Sequence, residues 1–126
     1  MDKRELKERT KQFALRVIKV VRVLPRSRDG DVIGRQLLRC GTAVRANYRA
    51  ACRARSRAEF AARWGTVEEE ADESALWIEL IVESNLMDQK MVEPLYDEAQ
   101  ELAAIMASSR KSALRRTAQS QIENRK

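Results

Sequence analysis

Hydrophobic side chains recur at helical spacing along most of the chain and divide it into four amphipathic segments. An α-helix turns about 100° per residue, so apolar positions three or four residues apart fall on one side of it. This spacing holds over 3–24, 28–54 and 57–85, and again from near Val92 to about Arg115. The pattern predicts an all-α protein, an antiparallel four-helix bundle with short loops.

Local sequence signals mark the end of the first helix and the start of the third. Pro25 ends the first helix, because the residue before a proline disfavours the α conformation. Ser56 and Glu59 have the spacing of a capping box at the start of the third helix. In that motif Ser56 accepts from the backbone N–H of Glu59, and the Glu59 side chain accepts from the N–H of Ser56.

The limits of the fourth helix rest on weaker signals. Asp88 is one candidate N-cap, whereas Pro94 favours a start near Val92, because proline fits best in the first turn of a helix. Residues 1–116 form the predicted bundle domain. Residues 117–126 are mostly polar, and we predict that they form a disordered C-terminal tail.

The second helix separates an apolar seam from a basic face. The seam spans an arc of about 100° and comprises Ile33, Leu37, Cys40, Val44, Asn47, Tyr48 and Ala51. Opposite it lies what we call the arginine stripe: Arg35, Arg39, Arg49 and Arg53 fall within an arc of about 80°, and we include Arg45, which lies about 40° outside that arc. We expect Asn47 to be a buried amide that fixes helix packing. Gly41 costs about 1 kcal/mol relative to alanine, which the close approach of a neighbouring helix would explain.

The third helix carries more apolar surface than one core-facing side requires. Its seam comprises Phe60, Trp64, Val67, Ala71, Ser74, Ala75, Ile78, Ile81 and Val82. Leu76, Trp77 and Leu80 lie well away from that seam. A helix that is apolar on more than one face needs a second covering, from the fourth helix or from another subunit. We therefore predict that these three residues form an oligomer interface.

Charge is segregated along the chain. The formal net charge is +6, but residues 1–57 carry +12, residues 58–107 carry −11 and residues 108–126 carry +5. Two interpretations of the arginine stripe stay open, because the guanidinium fork can bind either a carboxylate or a phosphate bidentately. The stripe either contacts nucleic-acid phosphates or pairs with the acidic third helix. It carries no aromatic platform, so we expect no recognition of bases by this face.

The residues that usually carry catalysis are scarce. The chain has no histidine, which removes the commonest general base and a common metal ligand. Glu69, Glu73 and Glu79 suggest a carboxylate metal site, but helical di-metal sites usually add a Glu-x-x-His element. We favour a solvated or arginine-paired acidic face, and we assign no catalytic residue, metal or cofactor.

Cysteine usage and the lack of a recognisable signal or membrane segment in the sequence favour the cytoplasm. Cys40 and Cys52 lie about 18 Å apart along one helix, too far for a disulfide within it. The N-terminal residues contain no apolar signal region. The sequence also has no run of about 18 apolar residues, the length that a membrane-spanning helix needs. We expect a cytoplasmic protein with unpaired thiols and no membrane partner.

Residues 35–60, RQLLRCGTAVRANYRAACRARSRAEF, resemble the signature of the four-helix-bundle proteins encoded by 23S rRNA intervening sequences. Residues 67–80, 98–105 and 109–111 resemble the same family, and the likeness extends over about residues 13–115. Two positions depart from the family pattern. Arg45 replaces a residue that is commonly small, and Ala50 replaces one that is commonly glutamate, so this helix is more basic than usual.

The resemblance implies an up-down-up-down bundle and kinship with accessory proteins of diversity-generating retroelements. Those relatives form homopentamers and act with nucleic acid and a reverse transcriptase. By resemblance, this chain is expected to be a homo-oligomer, a pentamer, with RNA or DNA and a reverse transcriptase as candidate partners. We therefore hypothesise a non-enzymatic, homo-oligomeric nucleic-acid-binding protein. The alternative is a protein-interaction scaffold whose arginine face serves subunit or partner contacts; a carboxylate-based enzyme ranks third.

Overall fold

Four helices, joined by short connections, make up the protein. The computed structural model describes residues 2–124, except for the side chains of residues 114 and 117. The helices are α1 (Lys3–Val23), α2 (Arg28–Cys52), α3 (Arg57–Glu83) and α4 (Gln89–Asn124). Consecutive helices pack against each other, α1 also packs against α4, and the diagonal pairs stay apart. This arrangement confirms the predicted antiparallel up-down-up-down bundle.

The first three helices begin at side-chain caps. Asp2 Oδ1 accepts from the Glu5 N–H at 2.8 Å, and Ser27 Oγ accepts from the Gly30 N–H at 3.1 Å. At α3, Ser56 Oγ accepts from the Glu59 N–H at 3.1 Å, as predicted. The return bond differs from the prediction, because the Glu59 side chain accepts from the N–H of Arg55 at 3.1 Å. Each cap satisfies a backbone donor that has no partner within the helix.

The end of α3 is fixed by backbone hydrogen bonds around one left-handed residue. Asn85 has φ 60°, a conformation that asparagine tolerates better than most side chains. The N–H of Leu86 donates to Ile81 O at 3.0 Å, and the N–H of Asn85 donates to Val82 O at 3.0 Å. These two bonds form a Schellman motif, which reverses the chain toward α4.

The fourth helix is longer than the pattern predicted. It starts at Gln89 rather than near Val92, because Asp88 Oδ1 caps the Lys90 N–H at 3.1 Å and Pro94 is accommodated inside the helix. It continues to Asn124 rather than ending near Arg115. Its side chains from 118 to 124 are exposed, so backbone hydrogen bonding rather than packing carries this extension.

The predicted polar tail is therefore helical over 117–124. Arg125 and Lys126 lie outside the described residues. The division into a bundle over 1–116 and a separate tail stays a prediction.

The apolar seams of all four helices meet in one core. Its largest fully buried side chains include Phe13, Leu37, Tyr48, Ile78, Ile81, Leu102 and Met106. The indole of Trp64 has its polar atom partnered, because its Nε1–H donates to Met106 O at 3.0 Å. Cys40 and Cys52 are unpaired thiols, as expected. Within the described residues, no helix is both long and apolar enough to traverse a lipid bilayer.

Candidate nucleic-acid interface

The arginine stripe does not act as a single surface, and Arg39 shows why. Its Nη2 lies 2.6 Å from Glu73 Oε2, and its Nη1 lies 3.5 Å from Glu70 Oε2, both on α3. These carboxylates compensate the guanidinium charge within the chain. For Arg39 the structure therefore supports the ion-pair interpretation.

The other stripe arginines are differently placed. Arg45 Nη1 donates to the backbone carbonyl of Lys7 at 3.2 Å, which ties α2 to α1. Arg35, Arg49 and Arg53 are exposed and form no ion pair or side-chain hydrogen bond within residues 2–124. Arg35 lies beside the α1–α2 connection, away from Arg49 and Arg53 at the other end of α2. Two uncompensated cations thus remain together at the C-terminal end of α2.

At that end, five cationic side chains line one concavity of about 420 Å³, which we call the basic pocket. The five are Lys3 and Lys7 from α1, Arg45 and Arg49 from α2, and Arg53, the residue that follows α2. Tyr48 and Cys52 complete its lining, and no carboxylate of the described residues joins them. Like charges around a concave surface reinforce a positive potential, so this pocket attracts anions.

Antiparallel packing of α1 and α2 creates the basic pocket, and Tyr48 holds it together. The Tyr48 ring is fully buried, and its hydroxyl donates to the Lys3 carbonyl at 3.0 Å. Burial raises the pKa of Tyr48 above its usual value, so the hydroxyl stays protonated and remains a donor. Tyr48 and Arg45 together anchor the first turns of α1, on which Lys3 and Lys7 are carried.

Beneath Arg39, three possible metal ligands come together. Cys40 Sγ and carboxylate oxygens of Glu70 and Glu73 all lie within 4.8 Å of one another. Burial raises the pKa of the Cys40 thiol and of the Glu70 carboxyl. However, Arg39 pairs with both carboxylates and the hydroxyl of Ser74 contacts Cys40 Sγ at 3.2 Å, so these ligands already have partners. The cluster is better described as the α2–α3 ion pair of Arg39 with Glu70 and Glu73, with the buried Cys40 next to it.

The acidic residues considered from the sequence do not converge on a metal site. Glu69, Glu73 and Glu79 form no such group among the described side chains. Glu73 pairs with Arg39, and Glu79 Oε1 accepts from the Tyr96 hydroxyl at 2.7 Å. These contacts match the expected arginine-paired acidic face for Glu73.

Asn47 lies at the edge of the core and links neighbouring backbone and side chains. Its Nδ2 donates to Ala43 O at 2.9 Å, and its Oδ1 accepts from Arg63 Nη1 at 3.4 Å. The residue is half-buried. These contacts fit the packing role that the sequence suggested.

The three residues predicted as an oligomer interface differ in exposure. Leu76 is 47% exposed, whereas Trp77 and Leu80 are half-buried, and Trp77 packs against the core. The Trp77 Nε1–H is buried and has no hydrogen-bond partner among the described residues. These three residues are therefore only partly covered within the described chain, and the interface itself stays a prediction.

Comparison with known proteins agrees with this architecture. The family described as "23S rRNA-intervening sequence protein" matches residues 2–108. The chain belongs to that family. It is also similar to a crystal structure, at 1.70 Å resolution, of a protein of unknown function from the S23 ribosomal protein family of Bacteroides thetaiotaomicron. The TM-score is 0.81 at 28% identity, over 88% of this chain and 99% of that chain. No curated protein matches the chain.

Membership of the 23S rRNA-intervening sequence protein family confirms the resemblance seen in the sequence. Neither match names an enzymatic activity. The basic pocket adds two residues, Lys3 and Lys7, that the sequence analysis did not single out. Their spacing of four residues places them on one side of α1. Only the antiparallel pairing of α1 with α2 shows that this side meets Arg49 and Arg53.

Proposed function

We propose that this protein is a non-enzymatic, homo-oligomeric nucleic-acid-binding protein that holds backbone phosphates of RNA or DNA in the basic pocket. The observation that carries the proposal is the convergence of Lys3, Lys7, Arg45, Arg49 and Arg53 on one concavity without a carboxylate. Phosphate contacts of this kind supply affinity without reading sequence. The site differs from the full arginine stripe, since Arg39 is compensated by α3 and Arg35 lies elsewhere.

Two further features support this function. The chain has no histidine, so the commonest general base is missing. The exposed Leu76 offers an apolar contact for a second copy of the chain. An oligomer would present several basic pockets to one polyanion, and such multivalency raises affinity without any new kind of contact.

A filter-binding titration across salt concentrations tests the proposal. Binding should weaken with added salt, with a logarithmic slope of about −0.7 to −0.9 per neutralised phosphate. The double variant Arg49→Glu with Arg53→Glu should lower affinity at least about tenfold and flatten that slope. Arg35→Glu is the control outside the pocket, and it makes the same charge change as either single variant, Arg49→Glu or Arg53→Glu. Absence of binding at about 50 mM salt, where electrostatic binding is favoured, would refute the proposal.

The alternative function is a protein-interaction scaffold. The observation that favours it is the surface around Leu76 on α3. There the exposed Leu76 side chain has Glu69, Asp72 and Glu79 around it. A basic, apolar protein partner would fit such a surface. Oligomerisation or partner capture that depends on Leu76, with no nucleic-acid binding, would favour this alternative.

A further inference from the structure

A second concavity lies at the same end of the bundle as the basic pocket, between the start of α3 and the last turns of α4. We call it the aromatic groove; its main lining residues are Arg57, Phe60, Ala61, Trp64, Ala113 and Arg116. Its volume is about 590 Å³, within the range of about 300–1,000 Å³ that small-molecule sites occupy. The groove combines an apolar floor with a basic rim.

The floor is a rigid aromatic pair. The rings of Phe60 and Trp64 stack with centroids 5.0 Å apart and planes inclined by 30°. Trp64 is held in place from behind, because its Nε1–H donates to Met106 O at 3.0 Å. Phe60 is half-buried and therefore keeps part of its ring surface accessible. A flat ligand could stack there without ordering a mobile side chain first.

The rim carries uncompensated positive charge. Arg57 and Arg116 form no ion pair or hydrogen bond with any side chain of the described residues. Arg110 differs, since its Nη2 lies 2.9 Å from Glu68 Oε2. The groove therefore suits a ligand that is flat where it meets Phe60 and anionic where it meets Arg57 and Arg116.

The groove and the basic pocket share no lining residue among the described residues, but residues that line one are neighbours of residues that line the other. Tyr48 lines the basic pocket, and its ring centroid lies 5.7 Å from that of Trp64. Arg53 of the pocket and Arg57 of the groove flank the short α2–α3 connection. One polyanionic strand could therefore contact both sites.

We propose that the aromatic groove binds an unpaired nucleobase of single-stranded RNA or DNA, stacked on Phe60, with the adjoining phosphates at Arg57, Arg116 and the basic pocket. This inference rests on the proposed function and specifies its substrate class. A duplex keeps its bases stacked internally, whereas a single strand can present one to an aromatic side chain. Because every base has a π face, the contact favours single strands without selecting a sequence.

The test compares two oligonucleotides of equal length, one carrying pyrimidine bases and one with abasic sugars, on the full-length protein. Both present the same phosphates, so the basic pocket binds both. The base-bearing strand should bind about tenfold more tightly, since stacking contributes about that factor or more per base. A bromouracil-substituted strand should photocrosslink to Phe60 or Trp64.

Variants of Phe60 test whether the aromatic groove causes the difference in affinity between the base-bearing and abasic strands. Phe60→Leu should reduce the ratio of the two affinities to near one and leave the abasic affinity unchanged, whereas Phe60→Trp should keep the ratio. Arg53→Glu should weaken both strands equally. The comparison of the two strands on the wild-type protein needs no variant, so the inference remains testable even if Phe60→Leu folds poorly.

Other results would overturn the inference in distinguishable ways. Equal affinity of the wild-type protein for both strands would refute base stacking and leave phosphate binding intact. Failure of both strands to bind would refute the proposed function together with this inference. An acidic amphipathic peptide that binds with a Phe60-dependent affinity, while the base-bearing strand shows no advantage, would assign the groove to a protein partner instead.

Discussion

Gly41 on α2 lies directly against Val17 on α1, and a Cβ atom at position 41 would be 2.7 Å from both γ carbons of Val17. Both residues are buried in the core. The short, branched Val17 side chain cannot rotate away from such a contact. This close approach confirms the expected reason for a glycine in the middle of a helix, and it sets the spacing between α1 and α2.

Gly41→Ala should therefore destabilise the protein despite the better helix propensity of alanine. Overpacking costs about 1–3 kcal/mol, and the propensity gain offsets about 1 kcal/mol of it. We expect a net loss of up to about 2 kcal/mol in the free energy of unfolding by urea. Val17→Ala in the same chain should recover part of the loss by removing the clash.

Gly65→Ala is the matched control for that experiment. It is also within a helix, but its nearest neighbour would be Arg110 Cδ at 3.9 Å, an ordinary contact. Alanine there should raise stability by about 1 kcal/mol. Stabilisation by both substitutions would contradict the close α1–α2 packing.

Two arginines of the same helix should respond differently to charge reversal. Arg39→Glu places a carboxylate against Glu70 and Glu73, so the midpoint of urea unfolding should fall while nucleic-acid affinity changes little. Arg49→Glu removes a cation from the basic pocket, so nucleic-acid affinity should fall and should depend less steeply on salt. The midpoint of urea unfolding should stay the same. Equal losses of affinity in the two variants would show that the whole stripe binds.

At acid pH, the change of the free energy of unfolding with pH should depend on Glu70. Burial raises the pKa of Glu70 above its usual value of 4.5, an effect that Arg39 opposes and Glu73 reinforces. The folded protein therefore holds this proton more tightly than the unfolded chain, and Glu70 costs stability at neutral pH. That cost disappears as the pH falls through the raised pKa toward 4.5 and below.

Glu70→Gln removes this titration. Relative to wild type, the variant should gain more unfolding free energy at pH 7 than at pH 4, as measured by urea denaturation at both values. A gain that grows as the pH falls would mean that the Arg39 contact outweighs burial at this carboxyl.

Assembly should depend on the exposed part of α3. Leu76→Glu places a charge on the proposed contact, so light scattering at micromolar concentration should show smaller particles with unchanged helicity. Val32→Glu is a control on α2, where another exposed apolar side chain carries no proposed role. A wild-type protein that is already monomeric at this concentration would remove the oligomer from the proposed function.

The architecture of the bundle could be predicted from the sequence because it depends on local periodicity. Apolar spacing places Leu37, Val44 and Ile78 on core-facing sides whatever the neighbours are, and all three are buried. Caps such as Ser56 involve residues three apart, so they too are visible locally. The ends of α4 were less predictable, because capping by Asp88 outweighs the preference of Pro94 for the first turn.

The candidate site depended on contacts between residues distant in sequence. Periodicity placed Arg39 and Arg49 on one face of α2 with equal charge, but only packing against α3 gives Arg39 its partners Glu70 and Glu73. Lys3 and Lys7 join Arg49 because antiparallel packing brings the first turns of α1 to the last turns of α2. The sequence by itself determined which side of each helix is apolar, since that follows from the turn angle; the tertiary structure decided which charges are compensated, since Coulomb attraction depends on distance in space.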